Sequence, residues 1–224
     1  MTGDMHFRGT KLYDVLAATP MVLLYGLGIG EKLIPDMFAD LARLPSLGAW
    51  LDIARDASAI VYFTVIVALV FLRCVPVGRS IGMLPRLAAL AGAYVSLARP
   101  KLLPFAHLPW LLGVVAVTLT VLGTIASIIV LIRLGRAFSI LPEARRLVTD
   151  GPYRIVRHPL YVAEEVGNIG IMLQYLQPWS LLIEIAAVAL QLWRISFEER
   201  VLRDTFPEYA AYAQRTRRLI PGIY

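Results

Sequence analysis

The chain has one cysteine, Cys74, in 224 residues. That excludes an intramolecular disulfide and any thiolate metal cluster, and beside Arg73 it reads as a packed or interfacial thiol. Of the three histidines, His6 and His107 have no ligand partner at useful spacing and read as solvent or headgroup residues. Charge is scarce as well: 17% of residues are Asp, Glu, Lys or Arg, against 58% apolar. A soluble domain of this length carries about a quarter charged residues, so a soluble globular fold is excluded. There is no internal repeat and no low-complexity tract. Residues Met1 to Arg8 read as a loosely ordered tail. No removable signal is expected, because the first apolar segment is long, carries Asp14 and lacks a small-residue cleavage site.

Apolar runs dominate what is present, and the mean hydropathy is +0.67. A helix needs about 20 apolar residues to cross a hydrocarbon core of about 30 Å. Six segments come near that length: Leu12 to Gly30, Ala57 to Leu72, Leu84 to Ala98, Leu108 to Ile132, Leu160 to Leu176 and Trp179 to Phe197. The third is short and flanked by Arg86 and Arg99-Pro100-Lys101, so it fits a tilted or re-entrant helix as well as a full span. Gln177-Pro178 turns the last two into a hairpin. The expectation is an all-α integral membrane protein with five or six transmembrane helices. It forms a single membrane domain over residues 1–224, in which 1–132 supply the N-terminal helices and 133–224 a catalytic half.

The net charge of +6 is scattered over segment ends, so anionic headgroups explain it and nucleic acid does not. On an alternating path one side collects Arg8 and Lys11; Arg73, Arg79 and Arg86; the six arginines from Arg133 to Arg157; and the six from Arg194 to Arg218. The other side holds Lys32, Arg43, Arg55, Arg99 and Lys101. Basic loops stay inside, which puts both termini and the 133–157 loop in the cytoplasm.

That loop contains a polar, turn-rich cassette, Gly151-Pro152-Tyr153-Arg154-Ile155-Val156-Arg157-His158-Pro159-Leu160-Tyr161. Asp150-Gly151-Pro152 signals a turn, Pro159 suits the first helical position and His158 falls at the N-cap. The free N–H groups of that helix start would favour a carboxylate or phosphate. Taken alone, Arg154, Arg157 and His158 are also what topology charges in a cytoplasmic loop look like. A second cluster sits where the last helix leaves the bilayer. Arg194 and Glu198 are one turn apart and can pair, but that pairing leaves Glu199 unaccounted for. Carboxylates beside hydrocarbon are costly and mark functional sites.

The motifs Gly151-Pro152-Tyr153, Arg157-His158-Pro159-x-Tyr161 and Arg194-x-x-x-Glu198-Glu199-x-x-Leu202 are followed by Phe206-x-x-Tyr209-x-x-Tyr212 and Arg215-Thr216-x-Arg218-x-x-Pro221. In this order and spacing the last ninety residues, from Leu134-Gly135-Arg136 onward, resemble the isoprenylcysteine carboxyl methyltransferase family, itself similar to phospholipid N-methyltransferases and a methanethiol S-methyltransferase. The resemblance implies an integral-membrane enzyme that binds S-adenosylmethionine in a cytoplasmic pocket built by the C-terminal half, with the lipophilic acceptor entering from the bilayer. It further implies that Val148, Gly151, Tyr153, His158, Leu160, Tyr161 and Glu198 bind the cofactor, with Arg194 and Glu199 nearest the acceptor. The acceptor type stays open among carboxylate, amine and thiol. The family often has Gly where this chain has Ala163. Glu164 and Glu165 follow, expected to line a wet cavity, to pair with an Arg or to select a cationic acceptor. Two other readings are an NADPH-dependent membrane reductase and a non-enzymatic scaffold or conduit.

The remaining features read as architecture. Gly26-x-Gly28-x-Gly30 lacks the strand and helix of a nucleotide loop and is expected to serve helix flexibility or close packing. Ala88, Gly92 and Ser96 place small residues every fourth position, which predicts tight packing on a neighbour or a second subunit, and a homodimer is allowed but not indicated. Trp50, Trp110, Trp179 and Trp193 fall near predicted segment ends, where aromatic belts sit. The stretch Phe206 to Arg218 is expected to lie on the cytoplasmic surface and to close one wall of the pocket.

Overall fold

The computed structural model describes residues 11–95, 108–175 and 177–223. The expectations for Met1 to Arg8, His6, Ser96, Arg99, Lys101 and His107 lie outside these residues. The architecture is helical. Helix α1 (Lys11–Gly28) continues through a π turn (Ile29–Leu33) into α2 (Ile34–Leu41), followed by α3 (Leu47–Leu72) and α4 (Leu84–Val95). Then come α5 (Trp110–Leu134), α6 (Pro159–Gln174), α7 (Pro178–Thr205) and α8 (Tyr209–Arg215). Two short strands, β1 (Gly78–Arg79) and β2 (Glu143–Ala144), pair antiparallel.

Three helices among the described residues are long and apolar enough to cross a membrane: Leu47–Leu72, Trp110–Ala137 and Pro178–Thr205. The protein is thus an all-α integral membrane protein. The 16 residues of α6 rise about 24 Å and the 12 of α4 about 18 Å, both short of a 30 Å core.

Two helices are longer than the sequence predicts, for identifiable reasons. Helix α3 starts ten residues before Ala57 because Ser46 caps it, accepting a hydrogen bond from the Ala49 N–H at 3.2 Å. Ion pairs then hold its polar first turns, Arg55 with Asp52 (3.1 Å) and Asp56 (2.8 Å), while Arg43 of the preceding turn ties Asp52 (3.1 Å) to Asp40 of α2 (2.5 Å). Helix α7 runs eight residues past Phe197, to Thr205, so Arg194, Glu198 and Glu199 lie within a helix and not at its end. For the same reason Trp193 sits in the body of α7, whereas the exposed Trp50, Trp110 and Trp179 are within the first turn of their helices.

Close packing comes from glycines other than those expected. Gly26, Gly28 and Gly30 have nothing among the described residues within 4 Å of an added Cβ, so they make no close packing there. The tight seam is between α5 and α6, where a Cβ on Gly123 would strike the Gly167 backbone and sit 2.9 Å from the Ala163 carbonyl oxygen. A Cβ on Gly170 would lie 2.5 Å from the Ala116 carbonyl and 2.6 Å from the Thr120 nitrogen. Gln174 seals the end of this seam with a 2.9 Å hydrogen bond to Thr120 Oγ1. Helix α4 packs on α7 as its small-residue stripe predicts, with Ala88 buried and the Gly92 position 3.7 Å from Leu190. The apolar core joins α1, α3 and α5 through Ala18, Ile66, Leu69, Val70 and Leu131, capped by Phe138.

Overpacking of such a seam costs about 1–3 kcal/mol, or about 3–10 °C for a chain of this size. Gly170→Ala is expected to lower the melting temperature of the detergent-purified protein by that amount. Gly26→Ala, with no close neighbour among the described residues, should leave it within a degree or two or raise it, and differential scanning fluorimetry reads both.

Candidate active site

Residues 150–161 fold as a turn leading into a helix start. Gly151 adopts φ +58°, a conformation that costs other residues a steric clash, and so reverses the chain before a short 3-10 turn, Gly151–Arg154. His158 occupies the N-cap position of α6 with Pro159 at the first helical position. The His158 side chain makes no capping hydrogen bond and turns instead toward α7, with Nε2 3.4 Å from Glu199 Oε1 and Nδ1 3.9 Å from Glu198 Oε2.

Three charged or polar side chains meet around Glu198. Tyr161 Oη donates to Glu198 Oε1 at 2.6 Å, Arg194 Nε donates to the same oxygen at 2.8 Å, and the Arg194 guanidinium sits 5.2 Å over the Tyr161 ring. The His158 and Tyr161 rings stack at 5.5 Å. The bond to Glu198 uses the Arg194 Nε, and its terminal nitrogens make no hydrogen bond to the described residues.

Glu199 plays a different part. Its side chain is 2% exposed, and it gathers Arg157 Nε at 2.8 Å, Arg218 Nε at 3.1 Å, His158 at 3.4 Å and Arg203 at 3.9 Å. The tail is thereby strapped to the cassette. Arg157 N–H donates to the Arg217 carbonyl at 2.7 Å and His158 N–H to the Arg218 carbonyl at 3.0 Å, while Val156 and Arg217 form a parallel bridge. Arg157 Nη1 also donates to the carbonyls of Ala213, at 2.8 Å, and Thr216. Tyr212 Oη donates to the Tyr153 carbonyl at 2.7 Å. Burial pushes the Tyr212 phenol up to about 12, and burial also raises Tyr153 and Tyr209, so all three stay protonated near neutral pH.

A cavity opens between these elements. Val148, Tyr153, His158, Leu160, Tyr161, Arg194 and Glu198 line it, so seven of the nine residues singled out in the sequence share one wall system. Gly151 and Glu199 do not line it; Gly151 shapes the loop and Glu199 stands behind the wall. Tyr209 and Tyr212 supply the wall expected from the tail.

What the sequence reading left out is the opposite wall, from Leu134 and Ala137 at the end of α5 through Ser139, Glu143, Arg145 and Arg146. Glu143 pairs with Arg145 at 2.6 Å and with Arg79 at 3.5 Å, the residue opposite it in the strand pair. Arg145 is buried and also donates to the Cys74 carbonyl. The arginines there were legible only as topology charges. The contacts from Arg145 to the Cys74 carbonyl and from Glu143 to Arg79 reach more than sixty residues upstream.

The fold and cavity define a class, helical membrane proteins with a chamber of mixed polar and apolar lining where apolar helices meet a folded C-terminal tail. Residues 111–209 match the phospholipid methyltransferase family. Over 125 residues the chain is 32% identical to protein-S-isoprenylcysteine O-methyltransferase B of Arabidopsis thaliana, covering 51% of this chain and 61% of that protein. It is 29% identical to a probable protein-S-isoprenylcysteine O-methyltransferase of Oryza sativa subsp. indica, covering 51% and 63%. Over 79 residues it is 39% identical to the cobalt-zinc-cadmium resistance protein CzcN of Cupriavidus metallidurans, covering 34% and 36%. The chain thus spans less than two thirds of each of these relatives. Its C-terminal half is thus similar to the phospholipid methyltransferase family and to isoprenylcysteine O-methyltransferases.

Removing Glu199 should release the strap. A buried carboxylate that partners several cations leaves them uncompensated when it is neutralised, a loss of about 3–5 kcal/mol. Glu199→Gln is expected to speed tryptic cleavage after Arg215, Arg217 and Arg218 by at least about tenfold, while sites in other loops are cut at the wild-type rate, as read by mass spectrometry.

Proposed function

We propose that this protein transfers a methyl group from S-adenosylmethionine to a lipophilic acceptor drawn from the bilayer. The observation that carries this reading is the Tyr161–Glu198–Arg194 cluster, set in a cavity wall where the spanning helix α7 meets the cassette. The cavity's residues suit an adenosyl amino acid. Leu160, Val148 and Leu202 offer apolar surface for a base, the tyrosines offer ring faces, and the Glu198 carboxylate suits ribose hydroxyls or a cation. His158 and the nearby arginines suit a carboxylate. S-adenosylmethionine, when bound, supplies a methyl group on a positively charged sulfur.

The protein's part is positioning, exclusion of water and charge placement. Tyr161 and Arg194 fix the Glu198 carboxylate from two sides, which restricts it to one rotamer and one direction. The Arg194 terminal nitrogens are left to face an acceptor, and Arg194 and Glu198 are 12% and 19% exposed, so their charges act in a poorly hydrated region. Glu199 contributes by holding His158 and Arg157 in place. Gly151 contributes by shaping the turn that carries Tyr153. The clustering of basic residues at this end of the helices favours a cytoplasmic site, with both termini on the same side.

Ligand that binds only the folded state stabilises it by about 2.7 kcal/mol at a hundred times Kd, or about 5–10 °C here. S-adenosylhomocysteine should raise the melting temperature of purified protein by that amount, NADPH should not, and Glu198→Gln or Arg194→Ala should remove most of the shift without unfolding the protein. Stabilisation by NADPH alone would overturn the reading in favour of a reductase, and stabilisation by neither would leave a non-catalytic membrane role.

A further inference from the structure

The segment between α3 and α4 turns apolar side chains outward. Val77, Ile81 and Met83 are 68%, 96% and 70% exposed, and Val75 is exposed as well. Gly82 makes the bend between Ile81 and Met83 at φ +96°, a conformation open to glycine. The exposure does not come from a loose loop, because the same segment is fastened beside the cavity. Val77 N–H donates to the Ala144 carbonyl at 2.8 Å and Ser80 N–H to the Pro142 carbonyl at 3.1 Å. Between them Arg79 pairs with Glu143, which lines the cavity. Gly78 lies so close to the end of α7 that a Cβ there would strike Thr205.

Three observations say what covers these side chains. The uncharged stretch of α3 after Asp56, from Ala57 to Leu72, rises about 24 Å, against a hydrocarbon core of about 30 Å, so the chain is still at lipid depth when it leaves the helix. The exposed apolar surface is also continuous with that of the helices. Phe71 and Leu72 at the end of α3 lead into it, and Leu84 and Leu87 at the start of α4 lead out of it. Finally, the stretch from Arg73 to Arg86 has three arginines and no Asp or Glu, and Arg86 is exposed, which complements the anionic headgroups of a membrane surface.

We infer that the segment Val75–Met83 inserts its apolar side chains into the leaflet on the cavity's side and forms a lipid-embedded lip beside the cavity. Pairing with β2 already fixes its backbone, so insertion removes apolar surface from water with little further ordering of the chain. This surface is independent of the reaction in the cavity.

The test uses the full chain in vesicles of phosphatidylcholine and phosphatidylglycerol, with Cys74→Ser as background, since the bonds of Cys74 to Arg136 and Arg145 run through its backbone. Single nitroxide labels are placed through Val77→Cys, Ile81→Cys and Met83→Cys, and through Gln214→Cys on the exposed face of α8 as the aqueous control. Electron paramagnetic resonance then compares collisions with oxygen, which partitions into lipid, and with a nickel chelate, which stays in water. The oxygen-to-nickel ratio at the three loop sites is expected to exceed that at Gln214 by at least about threefold, as for side chains about 5–10 Å below the headgroup boundary. Adding Ile81→Asp to the Val77 label should bring its ratio down by about half or more, because a carboxylate is expelled from lipid. Met83→Asp serves the same purpose if that variant does not fold. Ratios at all three sites equal to that at Gln214, or a Val77 ratio indifferent to both aspartate variants, would overturn the inference. Labels shielded from both reagents would overturn it as well, and dipolar broadening between copies would then assign the surface to a second copy of this chain.

Discussion

Glu199 is a carboxylate with almost no solvent contact on a helix otherwise long and apolar enough to cross a membrane, and a buried charge of that kind is stable only if opposite charges surround it. Arg157, Arg218 and Arg203 do so, and the His158 ring stands 3.4 Å away. They come from the cassette, from the tail and from the next turn of α7. Satisfying one carboxylate therefore determines where three chain segments meet. The backbone contacts between cassette and tail, and with them the position of the His158 ring, follow from that requirement.

The α5–α6 seam supplies the second constraint. Helix α6 is too short to cross a bilayer as an isolated span, so it must be placed by a neighbour. Gly123 and Gly170 remove the side chains that would hold the two backbones apart, and α5 is the longer element that carries α6 with it. Tyr161 and Glu164 are thereby brought opposite α7 and α3, the one bonded to Glu198 and the other to Tyr62. The site is thus built from a glycine seam that sets distance and a charge knot that sets orientation.

Much of this was readable from residue order because the signals are local. Apolar length located the membrane helices, and Pro159 and Pro178 marked two helix starts within a residue. Turn chemistry located the cassette, and a motif of fixed spacing gathered seven residues that share one cavity. The misses have local causes too. The start of α3 was misplaced because Asp52, Arg55 and Asp56 look like a loop until their pairing is seen, and α7 was cut short because its last turns are polar. Gly26, Gly28 and Gly30 attracted notice by their spacing, yet they meet no close neighbour among the described residues, and the glycines that matter are distinguished only by what lies opposite them.

Composition and order alone determined the class of solvent this chain needs, the helical character of its segments, and the residue types that would meet at the site, because hydropathy, helix capping and motif spacing act over one or two turns. The tertiary structure decided what each of those residues does. Glu198 and Glu199 are adjacent in the chain, but a helix turns them about 100° apart, so one lines the cavity and the other anchors its wall. Likewise Glu143 meets Arg79, and Glu164 meets Tyr62, across separations of sixty to a hundred residues. Such encounters are governed by helix packing, which has no signature in the local order of the chain.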